Sequence, residues 1–295
     1  MMLRTFLPLL TATIPLVSAH HGFAQVQHKN IVYAEAHGVG LVMDIFTPAG
    51  DRNGLAIVDV ISGGWDSSRG KIHDHERAQV FRIMCSRGYT VFAIRPGSLS
   101  RFSIPDMVTH LETGIAWVKE QADKNGIDPT RVGMMGASAG GHLASLVAVT
   151  NGSSEVNPGN DKATVKAVAV FFPPTDFLTF GSDSGPGAAK RIRQIALRGI
   201  PNELSEEETK QALISISPAR LVTKDAPPFL LIHGTADEVV PQAQSELLQA
   251  ALMDNDVSAE LVLKEGGGHP WLTIHEEVGR IADWFDQQLG NELRP

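Results

Sequence analysis

The chain has 295 residues, 43% of them hydrophobic, and a formal net charge of -8. That length and apolar content allow one large domain with its own core, and no linker-like stretch divides it. The acidic balance and the lack of any basic run argue against nucleic acid or an anionic membrane as partner.

The N-terminus reads as a segment for export. Arg4 precedes the short apolar run Phe6–Val17, and small residues follow at Val17-Ser18-Ala19 and Gly22-Phe23-Ala24. This is the layout of a secretory signal peptide, cut after Ala19 or Ala24, and the run is too short for a stable membrane span. Residues 1–24 are therefore set apart from the fold, no membrane anchor is expected after cleavage, and the mature chain is expected to be secreted or periplasmic. The single cysteine, Cys85, lies in the helical run Val80–Cys85 and reads as a core filler rather than half of a disulfide.

From residue 25 the predicted elements follow in order. Ile31–Tyr33 and Leu41–Phe46 are strand-like and flank His37-Gly38-Val39-Gly40, which suggests a hairpin. Ala56–Ile61 is an apolar run of buried-strand length that leads into Ser62-Gly63-Gly64-Trp65. A helix is expected around Glu76–Ser86, then a strand over Tyr89–Ile94. Ile104, Val108, Leu111, Ile115, Val118 and Ala122 recur at helical steps, with a start at Pro105 and a stop near Asn125-Gly126. Arg131–Met135 is the next strand and Gly141–Ala148 the next helix. After a polar loop at 151–163 come a strand over Val165–Phe172, halted by Pro173-Pro174, and an irregular stretch at 177–216. That stretch holds the capping-box start Ser205-Glu206-Glu207-Glu208 and reads as a small helical cap. Pro228–His233 is a strand, Ala243–Met253 a helix, Ala259–Lys264 the last strand. Val278, Ile281, Trp284, Phe285 and Leu289 mark a final amphipathic helix.

Strands alternate with helices from residue 56 onward, the pattern of an α/β fold with a mostly parallel sheet covered on both faces. Ligands of such sheets bind beyond the carboxyl ends of the strands. Four glycine-containing segments begin where a predicted strand ends: 61–65, 136–140, 234–238 and 266–270.

The chemistry gathers in those segments. Gly136-Ala137-Ser138-Ala139-Gly140 fits the G-x-S-x-G pattern of a nucleophile elbow, with a strand before it, a helix after it and only small residues around the serine. A serine hydroxyl needs an adjacent base, and a histidine base needs a carboxylate to orient it. In this fold the chain order is Ser, Asp or Glu, His. Ser138 is thus the expected nucleophile, Asp237 the orienting acid and His269 the general base, with Glu238 the runner-up acid. His142 is expected beneath the site, and His233 in a structural place. His73 and His75 form an H-x-H, but no further ligand cluster accompanies them, so they read as solvated helix-start residues and no metal or cofactor is expected. The N–H groups of Gly63, Gly64 and Ala139 are the expected oxyanion donors. Trp65 reads either as a wall of the substrate pocket or as a core aromatic.

The stretches "ISGGWDSSRGK", "GIDPTRVGMMGASAGGHLASL", "FFPPTDF", "ISPARLV" and "LLIHGTADEVVP" resemble the α/β-hydrolases. They are most similar to carboxylesterases related to hormone-sensitive lipase and to the acetyl-xylan and feruloyl esterase-like group. The similarity runs from about Leu41 to Ile281. It implies an eight-stranded sheet and hydrolysis of short-chain esters without a cofactor. It also implies a small-molecule or carbohydrate ester, carrying acetyl or feruloyl groups, as substrate. One departure stands out: the family's His-Gly-Gly-Gly-Trp is Ile61-Ser62-Gly63-Gly64-Trp65 here, so the histidine that helps to pin the loop is missing. Asp176 matches a recurring family position in "PPTD" to which the sequence gives no chemical role. A serine peptidase of the prolyl-oligopeptidase type shares this catalytic domain but is expected to carry a propeller-sized segment ahead of it. A non-catalytic, ligand-binding relative would have little use for an intact serine, acid and base.

Overall fold

The computed structural model describes residues 25–151, 163–181, 194–198 and 204–291. Residues 1–24, expected to be an export signal, the glycine-rich 182–187 and the body of the 151–163 loop lie outside the described residues.

Eight strands form one sheet: β1 (Gln25–Ala36), β2 (Val39–Pro48), β3 (Ala56–Val60), β4 (Thr90–Arg95), β5 (Val132–Ala137), β6 (Ala167–Phe171), β7 (Phe229–Gly234) and β8 (Ala259–Lys264). Their spatial order is β1-β2-β4-β3-β5-β6-β7-β8. The β1–β2 and β2–β4 pairs are antiparallel, and every pair from β4 to β8 is parallel. The helices are α1 (Arg69–Arg77), α2 (Val80–Ser86), α3 (Ile104–Glu120), α4 (Ala122–Asn125), α5 (Ala139–Asn151), α6 (Glu206–Ile214), α7 (Ala243–Asp254) and α8 (Ile274–Gln288).

Alternate residues of the central strands feed two separate cores, because successive side chains leave opposite faces of a sheet. Val58, Val60, Met134, Val168, Val170 and Leu231 pack with α3, α5 and α7 on one face. Ile57, Met135, Ala169, Leu230 and Ile232 pack with α2 and α8 on the other. Cys85 is buried in this second core, where burial pushes its thiol up to about 12, consistent with a filler.

Three element boundaries differ from the sequence expectation. The hairpin strands are longer than expected, and the turn tightens to His37-Gly38, both at positive φ (51° and 71°). The helix expected at 76–86 is two helices, α1 and α2, parted at Gln79 in a left-handed conformation (φ 61°). Within α1 only Ile72 is buried, so there was no apolar periodicity to read. The helix expected to reach Asn125 breaks at Gln121 into α3 and the four-residue α4. The capping box at α6 is formed: Ser205 Oγ accepts from Glu208 N–H at 3.3 Å, and Ser205 N–H donates to Glu208 Oε2 at 2.8 Å. In the 177–216 stretch, Phe177, Ala196, Leu213 and Ile216 are buried in the first core.

Candidate active site

The elbow is built where β5 turns into α5. Ser138 sits at φ 53°, a left-handed conformation that costs a non-glycine residue about 1–3 kcal/mol and marks a place held by its surroundings. Its N–H donates to the Phe171 carbonyl at 2.9 Å. The turn closes only because the flanking positions lack side chains. A β-carbon on Gly136 would lie 2.6 Å from the Gly140 carbonyl, and one on Gly140 would lie 2.3 Å from the Val60 carbonyl.

The three residues far apart in the chain meet here. His269 Nε2 lies 2.9 Å from Ser138 Oγ, and His269 Nδ1 lies 2.6 Å from Asp237 Oδ2. With Nδ1–H donating to the carboxylate, Nε2 faces the serine as an acceptor. Asp237 Oδ1 accepts the N–H groups of Val239 (2.8 Å) and Val240 (2.9 Å). Burial works against its charge, but hydrogen bonds from His233, His269 and the Val240 N–H override it and hold the carboxyl well below the usual range. Glu238, the alternative acid, is exposed.

Two histidines expected in supporting roles are placed at the site's edge. His233 is fully buried: its Nδ1 lies 2.7 Å from Ser245 Oγ, its Nε2–H donates to the Val240 carbonyl at 2.9 Å, and Nε2 is 3.5 Å from Asp237 Oδ2. His142 is also fully buried, opening α5; its Nε2–H donates to the Ile216 carbonyl at 2.8 Å and its Nδ1 accepts from Trp65 Nε1–H at 3.1 Å. Both bonds are met by the neutral ring, and burial pushes its pKa down to about 4.

Trp65 has both roles the sequence left open. It is 6% exposed and packs edge-on to His142 and against Phe177, yet it lines the cavity above Ser138.

The oxyanion loop needs a correction. The Gly63 N–H donates to the Asp66 carbonyl at 2.9 Å, and Asp66 N–H returns to the Gly63 carbonyl at 3.1 Å. A donor already paired inside its own turn is not open to an oxyanion, so Gly63 leaves the donor set. Gly64, at φ 58°, carries no such tie among the described residues. Ala139 is the first residue of α5, where a helix N–H has no acceptor within the helix. The loop is pinned without the missing histidine: Ile61 is fully buried with its N–H on the Ile94 carbonyl (2.9 Å), and the Ser62 carbonyl accepts Gly140 N–H (2.9 Å).

The cavity over Ser138 has a volume of about 880 Å³. Phe172, Phe180, Val239, Trp271 and Leu272 give it an apolar wall; Lys71, Asp74, His75 and Arg77 from α1 give it a charged one. That second wall was missed, and His75 is a correction. His73 is solvated and pairs with Glu76, but His75 turns inward and meets the fully buried Asp59 at 2.7 Å. A carboxylate in the middle of an otherwise apolar strand was the one signal in the sequence.

Asp176 has a structural part. Its buried carboxylate accepts the Arg220 guanidinium at 2.6 and 3.1 Å and the Leu178 N–H at 3.0 Å, tying the loop after β6 to residue 220.

Similarity to known proteins agrees with this geometry. The BD-FAE family model matches residues 43–252. Esterase LipQ of Mycobacterium tuberculosis is 27% identical over 252 residues, 82% of this chain and 56% of its own. The isoprenylcysteine alpha-carbonyl methylesterase ICME of Arabidopsis thaliana is 27% identical over 286 residues, 92% of this chain and 63% of its own. The chain thus spans less than two thirds of the length of these two curated relatives. Among solved structures, a truncated carbohydrate esterase from gut microbiota superposes with a TM-score of 0.77 at 24% identity, over 92% of this chain and 98% of the other. Esterase 2 of Thermogutta terrifontis gives 0.67 at 25% identity, over 89% and 92%.

Proposed function

The chain belongs to the BD-FAE family of α/β-hydrolases, and on that premise we propose that it is a serine carboxylesterase acting through an acyl-enzyme. The observation that carries this is the unbroken relay from Asp237 through His269 to Ser138, at 2.6 and 2.9 Å. Ser138 Oγ attacks the ester carbonyl while His269 Nε2 takes its proton. The ionised Asp237 holds Nδ1–H and stabilises the imidazolium. The carbonyl oxygen, now negative, turns to the N–H groups of Gly64 and Ala139, each worth roughly 3–4 kcal/mol to the transition state. His269 then protonates the leaving alcohol, and a water activated by the same imidazole releases the acid.

The substrates we propose are short-chain esters, with acetyl or feruloyl groups on carbohydrate as the natural class. The likeness to a carbohydrate esterase and a cavity of about 880 Å³, ample for an acyl group and a sugar unit, support this. Residues 1–24 we propose as an export signal; the mass of the mature chain, starting at His20 or Gln25, tests it.

Incubation with p-nitrophenyl acetate, p-nitrophenyl octanoate and a peptide anilide separates the reading from its rivals. Turnover of the acetate above the other two is expected, with fluorophosphonate labelling of Ser138. Anilide cleavage alone would make it a peptidase; no turnover and no labelling would make it a binding protein. Ser138→Ala is expected to lower kcat by a factor on the order of 10⁶.

A further inference from the structure

The cavity above Ser138 holds more charge than cleavage of a small neutral ester uses. Lys71, Asp74, His75 and Arg77 all project from α1 into it. Asp74 is occupied from both sides, with Oδ2 3.3 Å from Lys71 Nζ and Oδ1 paired with Arg77. His75 is held by its Nδ1–H on Oδ2 of Asp59, a carboxylate with no exposed surface whose Oδ1 has no partner among the described residues. Nδ1 is thereby taken, and the side chain, 11% exposed, lines the cavity. Burial disfavours a charged imidazole, yet the Asp59 carboxylate, with a smaller contribution from Asp74, holds His75 above its ordinary pKa.

Three basic side chains (Lys71, His75, Arg77) line this wall beside a single carboxylate, Asp74, in a chain of net charge -8. The wall presents donors, while its acceptors are already engaged or buried. A sugar hydroxyl is served by a mixed lining of donors and acceptors, whereas an anionic oxygen is served by donors alone. Lys71 also lies against the oxyanion loop: a β-carbon on Gly63 would be 3.0 Å from its Cδ and Cε and 3.2 Å from its Nζ. The ammonium thus sits one residue from the proposed donor Gly64.

We propose that the cavity selects esters bearing a carboxylate close to the scissile bond, held by Lys71 Nζ and the Nε2–H of His75. The inference rests on the esterase reading and names its substrate class. The carboxylate would dock on α1 while the apolar part of the substrate lies along Phe172 and Trp271.

Two measurements keep the claims apart. Calorimetry on the Ser138→Ala protein compares binding of 4-acetoxybenzoate with its neutral methyl ester, without turnover. At least tenfold tighter binding of the anion is expected, shrinking as sodium chloride is added and falling toward parity with Lys71→Met or His75→Gln. Equal binding of the two, or a preference that survives both substitutions, overturns the anion site. Hydrolysis by the unaltered protein is read separately as the anion-to-neutral ratio of kcat/KM, each corrected for its rate with hydroxide. A ratio at least ten is expected, and a ratio near one overturns the proposal even if both esters are cleaved. Failure to cleave either ester, with Ser138 unlabelled by fluorophosphonate, overturns the esterase reading, while the calorimetric preference still decides the anion site.

Discussion

Asp237 accepts three hydrogen bonds on its two oxygens, from the His269 imidazole and two backbone N–H groups, and His233 Nε2 lies 3.5 Å from its Oδ2. Such a carboxylate has one orientation open to it, and that orientation sets the His269 tautomer. Asp237→Asn keeps the shape but offers the imidazole an amide donor in place of an acceptor. The ring then turns its proton toward Ser138, and kcat is expected to fall by about 10⁴ with little change in KM, read from steady-state kinetics on p-nitrophenyl acetate. His142 is tied just as closely, but to neutrality. Its folded pKa is lowered to about 4, so between there and the unfolded value near 6.5 the unfolded chain binds more protons. Stability from this residue is complete above about pH 6.5 and is lost as the pH falls toward 4, by up to about 1.4 kcal/mol per pH unit. His142→Gln can accept from Trp65 and donate to Ile216, and is expected to flatten that part of the Tm-against-pH curve. An unchanged slope would show that His142 is not its source.

At the scale of the element, the β5–α5 turn is the most constrained piece of backbone in the site. Gly140 approaches the Val60 carbonyl so closely that an added methyl would sit 2.3 Å from backbone rather than from a side chain that can swing away. Relief requires moving β3, in the middle of the sheet, or α5, packed against it. Gly140→Ala is expected to cost about 3 kcal/mol or more, read as a lowered urea midpoint, and to abolish serine labelling. A variant with wild-type midpoint would show that the turn is softer than its geometry implies. The helix α1 makes the opposite case. It is polar, buries one residue, and is held from outside by Arg69 on Asp44 (2.9 Å) and His75 on Asp59 (2.7 Å). Helices placed by ion pairs carry no hydrophobic stripe, which is why its start at Arg69 was not legible.

At the scale of the molecule, two opposing titrations act on stability. His75 has a raised pKa, so its contribution is present at and below the unfolded histidine value and is lost as the pH rises through its folded one. His142 contributes the reverse on the acid side. Stability is therefore expected to peak near neutral pH and to fall on both sides, with His75→Gln flattening only the alkaline limb in a thermal-denaturation series. The His75 charge reaches the sheet directly, through the buried Asp59 of β3 at 2.7 Å.

How much of this was written in the primary order follows from the range of the forces involved. Strand and helix periods, the elbow's small residues and the three chemical segments are local patterns, so the α/β alternation and the candidates Ser138, Asp237 and His269 could be read one after another. The resemblance of "GASAG" and "HGTAD" to known hydrolases added their expected meeting point. Pairing across the fold could not be read. Gly63 looked like a donor until the Asp66 carbonyl was seen to claim it, and His75 looked solvated until Asp59, sixteen positions earlier, came to face it. The sequence alone determined which side chains were available for chemistry, because residue type and local spacing are one-dimensional. The tertiary structure alone decided which of their donors and acceptors remain free, because that depends on neighbours brought together only when the sheet and its helices close.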